Sequence, residues 1–430
     1  MKLSAFRLFA AFCGALLLAA LPAAGQDAPA APVSSVLRLN IPNDASPRVF
    51  PAPDGRAVAY ERAVRLNGHR DFYVCALSAS AGAEALCTLP PQASARGFEP
   101  DPSSVWLPLS WSPDGGRLAL VGQPWVTQED IDLLVFDIAA QAWRVLADDG
   151  YDGPLADAPA GVTVTTQPAW SPDGGSIAAE QTVVQPGGAF APSALVLLDA
   201  ASGAAREIAP VPGADAAGAV PGAVSGLAWS PDGARLAVSV RHRQPNPADG
   251  LWLVDAATGA AENLLPLAAL QEALNTVYAG LALARLGPLA WSPDGTRLLV
   301  WAGDPGKTPA QVWPFVVAVE SGAVAAVPLP AHPNDTPERR SVRPLQAAWS
   351  PDGARLLLLA FGRPPDEPAV SLDPADSSAR LSVRVVDAAS GADSLLGYLP
   401  LGPSVALYLA AWGADGRVIT NGYALTLAEG

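Results

Sequence analysis

Several residue types with catalytic or metal-binding chemistry are scarce. The 430-residue chain has 3 His, 3 Cys and 1 Met, and only 16% of its residues are charged. It contains no Gly-x-Ser-x-Gly elbow, no His-Glu-x-x-His and no Cys-x-x-Cys, so the standard hydrolase, zinc and redox chemistries lack their motifs. Basic residues are short as well: 26 Lys and Arg stand against 41 Asp and Glu, a net charge of -15. A general binder of phosphate backbones needs a basic face, which excludes nucleic acid as the expected partner.

Long apolar runs are missing beyond the first 25 residues. There, Lys2 and Arg7 precede an apolar run from Leu8 to Leu21, and Ala23-Ala24-Gly25 supplies small residues for cleavage before Gln26, the pattern of a secretory signal. The run is shorter than the ~20 residues of a spanning helix. Phe12, just before Cys13, stands where a lipoprotein signal needs a small residue. The expectation is a signal over 1–25, an Ala/Pro-rich lead-in over 26–33, and a mature protein that is secreted or periplasmic, without stable membrane insertion and monomeric.

The mature chain then keeps two cysteines, Cys75 and Cys87, placed almost symmetrically about Ser80-Ala81-Gly82. Two antiparallel strands joined by a turn there would set them opposite each other, as a disulfide requires. Such a bridge would stabilise by ~2 to 3 kcal/mol. Buried free thiols are the alternative.

What the chain has in quantity is a repeat. Trp-Ser-Pro-Asp-Gly occurs unbroken from Trp111, Trp170, Trp229, Trp291 and Trp349, with worn copies at Phe50 to Gly55 and Trp412 to Gly416. The copy aspartates Asp54, Asp114, Asp173, Asp232, Asp294, Asp352 and Asp415 are spaced by 60, 59, 59, 62, 58 and 63 residues. A period of this length fixes the architecture before any site is considered. It also accounts for the 44 Pro and 39 Gly, which a chain that is 50% apolar does not owe to disorder.

Each repeat reads as four strands. A short strand ends at the aromatic, as in Leu227-Ala228-Trp229, and Ser-Pro-Asp-Gly turns into a second, such as Arg235 to Val240. A variable loop leads to a third, such as Leu251 to Asp255, and Asp255-Ala-Ala-Thr-Gly259 turns into a fourth near Glu262 to Leu265. Pro suits the second position of a type I turn, Asp the third, and Gly the positive φ that follows. Asp199-Ala-Ala-Ser-Gly203 and Asp387-Ala-Ala-Ser-Gly391 repeat the second turn, whereas the stretch after Asp137 lacks its glycine and is expected to be looser. Seven such units make an all-β, seven-bladed β-propeller of four-stranded antiparallel blades. The last repeat stops one strand short, and Ser35 to Ile41 supplies that strand from the other end, closing the ring.

The Trp-Ser-Pro-Asp-Gly turns followed by Arg-Leu-Ala or Arg-Leu-Leu resemble the PD40 (WD40-like) repeats of TolB-type β-propellers, over residues 34 to 430. The resemblance implies a secreted or periplasmic propeller that serves as a binding platform. TolB carries an α/β domain before its six-bladed propeller, and the prolyl-oligopeptidase relatives carry a hydrolase domain after theirs; neither is expected here. The motif aromatics and aspartates, Trp111 and Asp114 through Trp412 and Asp415, are read as inter-blade wedges and turn caps.

Strand parity puts both tight turns on one face and the long segments on the other, where binding loops are expected. Aromatics and arginines are the best anchors there: Trp125, Tyr151, Phe190 and Trp313, with Arg241, Arg243, Arg339, Arg340 and Arg343. The three histidines, His69, His242 and His332, also fall on that face. They are expected to be solvated, with His69 and His242 on opposite blades, so no metal site is expected. Asp148 to Gly153 resembles a calcium loop but lacks the third-position ligand, and Pro159 stands where the closing Glu would be. No cofactor is expected, with calcium kept only as an alternative. Leu267 to Tyr278 reads as a short covering helix. The function expected is that of a non-enzymatic scaffold for a protein or glycan partner in the envelope or outside the cell. A propeller lyase or glycan hydrolase is the alternative.

Overall fold

A computed structural model of the chain describes residues 33–38, 48–53, 57–63, 70–76, 86–88, 109–122, 132–140, 142–147, 149–151, 157–186, 189–214, 223–242, 244–307, 311–330, 333, 335–336, 340–363, 372, 379–400, 411–413, 416–420 and 423–427. The expected signal and most of the lead-in lie outside the described residues, as do Asp54 and Asp415.

The chain enters with β1 (Val33–Arg38). The first sheet follows as β2 (Arg48–Pro51), β3 (Ala57–Ala63), β4 (Arg70–Ala76) and β5 (Leu86–Thr88). The second is β6 (Leu109–Trp111), β7 (Arg117–Gly122), β8 (Asp132–Asp137) and β9 (Ala142–Ala147). The third is β10 (Thr163–Trp170), β11 (Ser176–Val183), β12 (Ala194–Asp199) and β13 (Ala205–Pro210). The fourth is β14 (Val224–Trp229), β15 (Arg235–Val240), β16 (Gly250–Asp255) and β17 (Ala261–Pro266), followed by α1 (Leu267–Asn275). The fifth is β18 (Arg285–Trp291), β19 (Arg297–Asp304), β20 (Gln311–Ala318) and β21 (Val324–Ala326). The sixth is β22 (Arg343–Trp349), β23 (Arg355–Phe361), β24 (Ala379–Asp387) and β25 (Asp393–Pro400). The last holds β26 (Ala411–Trp412), β27 (Arg417–Thr420) and β28 (Tyr423–Leu427), with β1 paired antiparallel to β28. Every pairing within these sheets is antiparallel and sequential except that of β1.

The turn motif has a physical cause for each letter. In the second sheet, Gly115 donates its N–H to the Ser112 carbonyl at 2.9 Å and adopts φ +67°, which closes the type I turn that Pro113 and Asp114 begin. Ser112 Oγ donates to Asp114 Oδ1 at 2.5 Å and accepts the Arg117 N–H at 2.8 Å. Asp114 Oδ1 also accepts the Gly116 N–H at 3.0 Å. The serine thus bridges both arms of the hairpin, a role its letter alone does not reveal.

The tryptophans are wedges that also hydrogen-bond. Trp170, Trp229, Trp291 and Trp349 donate Nε1–H to the carbonyls of Ser110, Ala169, Ala228 and Ala290, each in the first strand of the preceding sheet, at 3.0 to 3.1 Å. Apolar clusters fill the same junctions: Leu133, Val135, Trp170 and Ile177 between the second and third sheets, and Ala178, Leu195, Leu236 and Val254 between the third and fourth. Burying such rings covers ~150 to 250 Å² each. Consecutive four-stranded sheets, each packed through its face onto the next, define a β-propeller.

Two expectations need correction. In the hairpin after Asp137, Gln141, which stands at the glycine's position, lies outside the described residues, while the flanking pairing is kept. Asp137 Oδ1 caps the Ala140 amide at 2.8 Å, and Asp137 pairs with Ala142, the same five-residue step by which Asp199 N–H reaches Ala204 O. The first strands of the third to sixth sheets are longer than a short run into the tryptophan, at 8, 6, 7 and 7 residues, whereas β6 and β26 have 3 and 2; β10 carries a register shift between Thr166 and Ala169, where Gln167 takes φ +55°. The segment from Gly303 to Pro314 is strand at both ends, with β19 and β20 paired out to Asp304 and Gln311.

Candidate functional site: the long-segment face

The tight-turn ends of the sheets are occupied by contacts between sheets. Arg117 Nη2 donates to Gly174 O at 2.9 Å, and Arg297 Nη2 to Gly353 O at 2.7 Å. At Gly203, φ is +77° and a Cβ would meet Leu146 O of the preceding sheet at 1.8 Å, so only glycine lets that turn seat there. Arg144 on β9 donates to the carbonyls of Ala200 and Ala201 in the same turn. Scaffold contacts occupy these turns.

At the opposite ends, the segment from Arg241 to Gly250 joins β15 to β16 and folds around one carboxylate. Asp249 is 2% exposed, and its Oδ2 accepts from Arg241 Nη1 at 2.6 Å. Its Oδ1 accepts the His242 N–H at 2.8 Å and meets His242 Nδ1 at 2.7 Å. Asp249 O in turn accepts the Leu267 N–H, which ties this loop to the start of α1. His242 is therefore not the solvated histidine expected: its Nε2 and Arg241 Nε are buried with no hydrogen-bond partner among the described residues. No spacing motif announces this knot, because it forms only when the loop doubles back on itself.

The covering helix is present as α1. It buries Leu270, Ala273 and Leu274 against the fourth and fifth sheets. Gln271 fixes the segment that follows, donating to Leu281 O and accepting from Leu283 N–H, both at 2.7 Å. Tyr278, three residues past the end of α1, is 1% exposed. Its ring meets Trp313 edge-on at 5.9 Å, and its hydroxyl is buried without a partner among the described residues. Burial pushes the phenol up to about 12, against the opposing influence of the Arg343 and Arg340 guanidiniums.

Of the expected anchors, Arg340 is half-buried, donating Nε–H to Val277 O at 3.1 Å and standing 3.5 Å from Asp335 Oδ2. Arg343 begins β22 and lies over the Phe361 ring at 4.9 Å. Trp313 departs from expectation: it sits in β20, is 5% exposed, and donates Nε1–H to Val327 O at 2.8 Å, so it is core rather than surface. The reason is the extended β19–β20 pairing, which turns an expected loop residue into a strand residue. Phe190 is half-buried in a bridge with Val184, an extension of the β11–β12 hairpin. Tyr151 is half-buried beside Asp149. That aspartate spends both oxygens on the loop itself, on Tyr151 N–H at 3.0 Å and on Thr163 N–H and Oγ1–H. Among the described residues no group of three His, Cys, Asp or Glu side chains gathers as a metal site. Trp125, Arg243, Arg339, His69 and His332 lie outside the described residues.

Cys75 and Cys87 are directly opposed Cα partners in the β4–β5 pair. The backbone thus supplies the opposition that a bridge requires.

The class these features define is an all-β propeller with tight turns on one face and long segments on the other. Neither a protein-family model nor a curated protein matches the sequence. Solved structures to which the chain is similar include a chain of a mitotic checkpoint complex, at 15% identity and TM-score 0.48, covering 100% of this chain and 99% of that one. TolB from Acinetobacter baumannii is similar at 14% identity and TM-score 0.37, over 90% of this chain and 80% of that one. The β-propeller domain of Myceliophteria thermophila Cps50 (Swd1) is similar at 14% identity and TM-score 0.46, over 90% and 99%. At these scores the likeness carries no weight, and the fold rests on strand order and inter-sheet packing.

Proposed function

We propose that this chain is a secreted or periplasmic seven-bladed propeller of the PD40, TolB-like type, acting as a non-enzymatic scaffold that binds a protein partner through its long-segment face. Ring closure is supported by the pairing of β1 with β28 and by contact between β2 and β27. The observation that carries the binding reading is the asymmetry between faces. One end of the sheets spends its arginines and glycines on neighbouring turns, while the other holds Arg241, His242 and Tyr278, each with a buried polar atom that has no hydrogen-bond partner among the described residues. Buried polar groups without partners are rare and point to missing ligands or waters. Crosslinking the mature protein in its native compartment, followed by mass spectrometry, tests this. Replacing Arg241 and Arg340 together is expected to remove the specific partner, and an unchanged partner set sinks the reading. Capture of polysaccharide instead of protein identifies a glycan scaffold.

A further inference from the structure

In four of the sheets the first residue of the second strand has the same job. Arg117, Arg235, Arg297 and Arg355 place their guanidiniums over the wedge tryptophan of the next sheet, Trp170, Trp291, Trp349 and Trp412, at 4.5, 5.5, 5.2 and 5.4 Å. The slot of Arg297 has three walls: the ring, the carbonyl of the next turn glycine, and the carboxylate of the arginine's own turn, and Arg117 likewise reaches Gly174 O. Arg297 Nη2 stands 2.7 Å from Gly353 O and 3.8 Å from Asp294 Oδ2.

The third sheet breaks the series. Its corresponding residue is Ser176, whose backbone is in register, since its N–H reaches Ser171 Oγ at 2.9 Å just as Arg235 N–H reaches Ser230 Oγ at 2.9 Å. The side chain ends at Oγ, far too short to cover the next ring. Trp229 still wedges normally through Nε1–H to Ala169 O at 3.0 Å. Yet it is only half-buried, whereas Trp170, Trp291 and Trp349 are 5, 8 and 7% exposed under their guanidiniums. Trp412 is half-buried too, but it keeps Arg355 above it. Among the described residues no cation lies over Trp229. Asp173, exposed on the turn beside it, likewise has no arginine among the influences acting on its carboxyl, unlike Asp114, Asp232, Asp294 and Asp352.

We propose that the junction of the third and fourth sheets is a docking site for an arginine side chain of a partner protein, its guanidinium taking the place over Trp229 that the chain's own arginines fill elsewhere. The walls correspond to those of the Arg297 slot: the Trp229 ring, Gly233 O and the Asp173 carboxylate. A planar guanidinium stacks on the ring and donates to both oxygens together, which a lysine ammonium does less well. A net charge of -15 favours a basic partner segment. The site lies on the tight-turn face, so its success or failure is independent of the long-segment face.

The test uses the mature chain with isotope-labelled tryptophan, the Trp229 indole resonances being assigned through Trp229→Phe. A short arginine-containing peptide is titrated in, alongside the same peptide with citrulline, its neutral isostere. Saturable shifts at Trp229 with arginine and not with citrulline are expected, and Ser176→Arg is expected to weaken them at least about threefold by filling the slot from within. Glu272→Gln, which makes a change of one charge unit on the exposed face of α1, serves as the control and is expected to leave the titration unchanged. Shifts that are absent, equal with citrulline, equal in Ser176→Arg, or weakened equally by Glu272→Gln would overturn the proposal.

Discussion

At the scale of single residues, the serine of the repeat does more than its place in a turn suggests. Hydrogen bonds from the serine, then from the backbone amide two residues on, hold Asp114, Asp173, Asp232 and Asp352 below the usual carboxylate range. A folded-state pKa below the unfolded one stabilises above the unfolded pKa, and the gain is lost as pH falls through the folded value. Stability is therefore expected to hold from neutral pH to about 5 and to fall steeply below about 4. Ser230 is 1% exposed, and Ser230→Ala removes its bond to Asp232 Oδ1 and the one it accepts from Arg235 N–H. The variant is expected to lose about 1 kcal/mol at neutral pH. Urea unfolding at neutral and acid pH checks this: the gap to the parent protein should narrow in acid, and a gap independent of pH means Asp232 gains nothing from the serine.

At the scale of elements, the hairpin of β4 and β5 carries the clearest stake, because Cys75 and Cys87 are register partners there. β5 is only 3 residues long, so a covalent tie would do much of the work of holding it. Replacing both cysteines with serine is expected to cost ~2 to 3 kcal/mol, by the loop-closure estimate. The same loss should follow reduction of the parent protein, measured by thermal unfolding with and without reductant. Two thiols that label freely in the native, unreduced protein mean that no bridge forms. The element most completely read in advance is β15, expected and found over Arg235–Val240. The Ser-Pro-Asp-Gly turn before it fixes its start chemically, with Gly233 N–H closing onto Ser230 O. Long segments had no such punctuation, and there strands ran on into expected loops at Gly303, Gln311 and Thr163.

At the scale of the whole molecule, the proposed ring depends on β1. It gives β28 its second neighbour, with Val36 opposite Leu425 and Arg38 opposite Tyr423. Without it, β28 presents an open edge, a template for pairing with another chain. A mature chain starting after residue 38 is expected to form oligomers or aggregates on size-exclusion chromatography and to unfold at a lower temperature. Supplying residues 33–38 as a peptide is expected to reverse part of this. A truncated chain as monomeric and stable as the parent would show that β1 does not close the fold.

The sequence by itself determined the period, the four strands of each repeat, both tight turns and the wedge tryptophans, because these are local: a turn needs particular residues at adjacent positions, and a repeat states them again and again. It also determined the face on which long segments lie, since alternation of strand direction follows from turn order. Only the tertiary structure decided what those segments do. The Arg241, His242 and Asp249 knot, the burial of Trp313 and the half-exposure of Trp229 each depend on side chains meeting, or failing to meet, across a doubled-back loop, an extended strand pair or a junction between sheets. A missing arginine at Ser176 is visible in the sequence as a departure from the repeat. That it uncovers the ring of the next sheet follows only from how the sheets are packed.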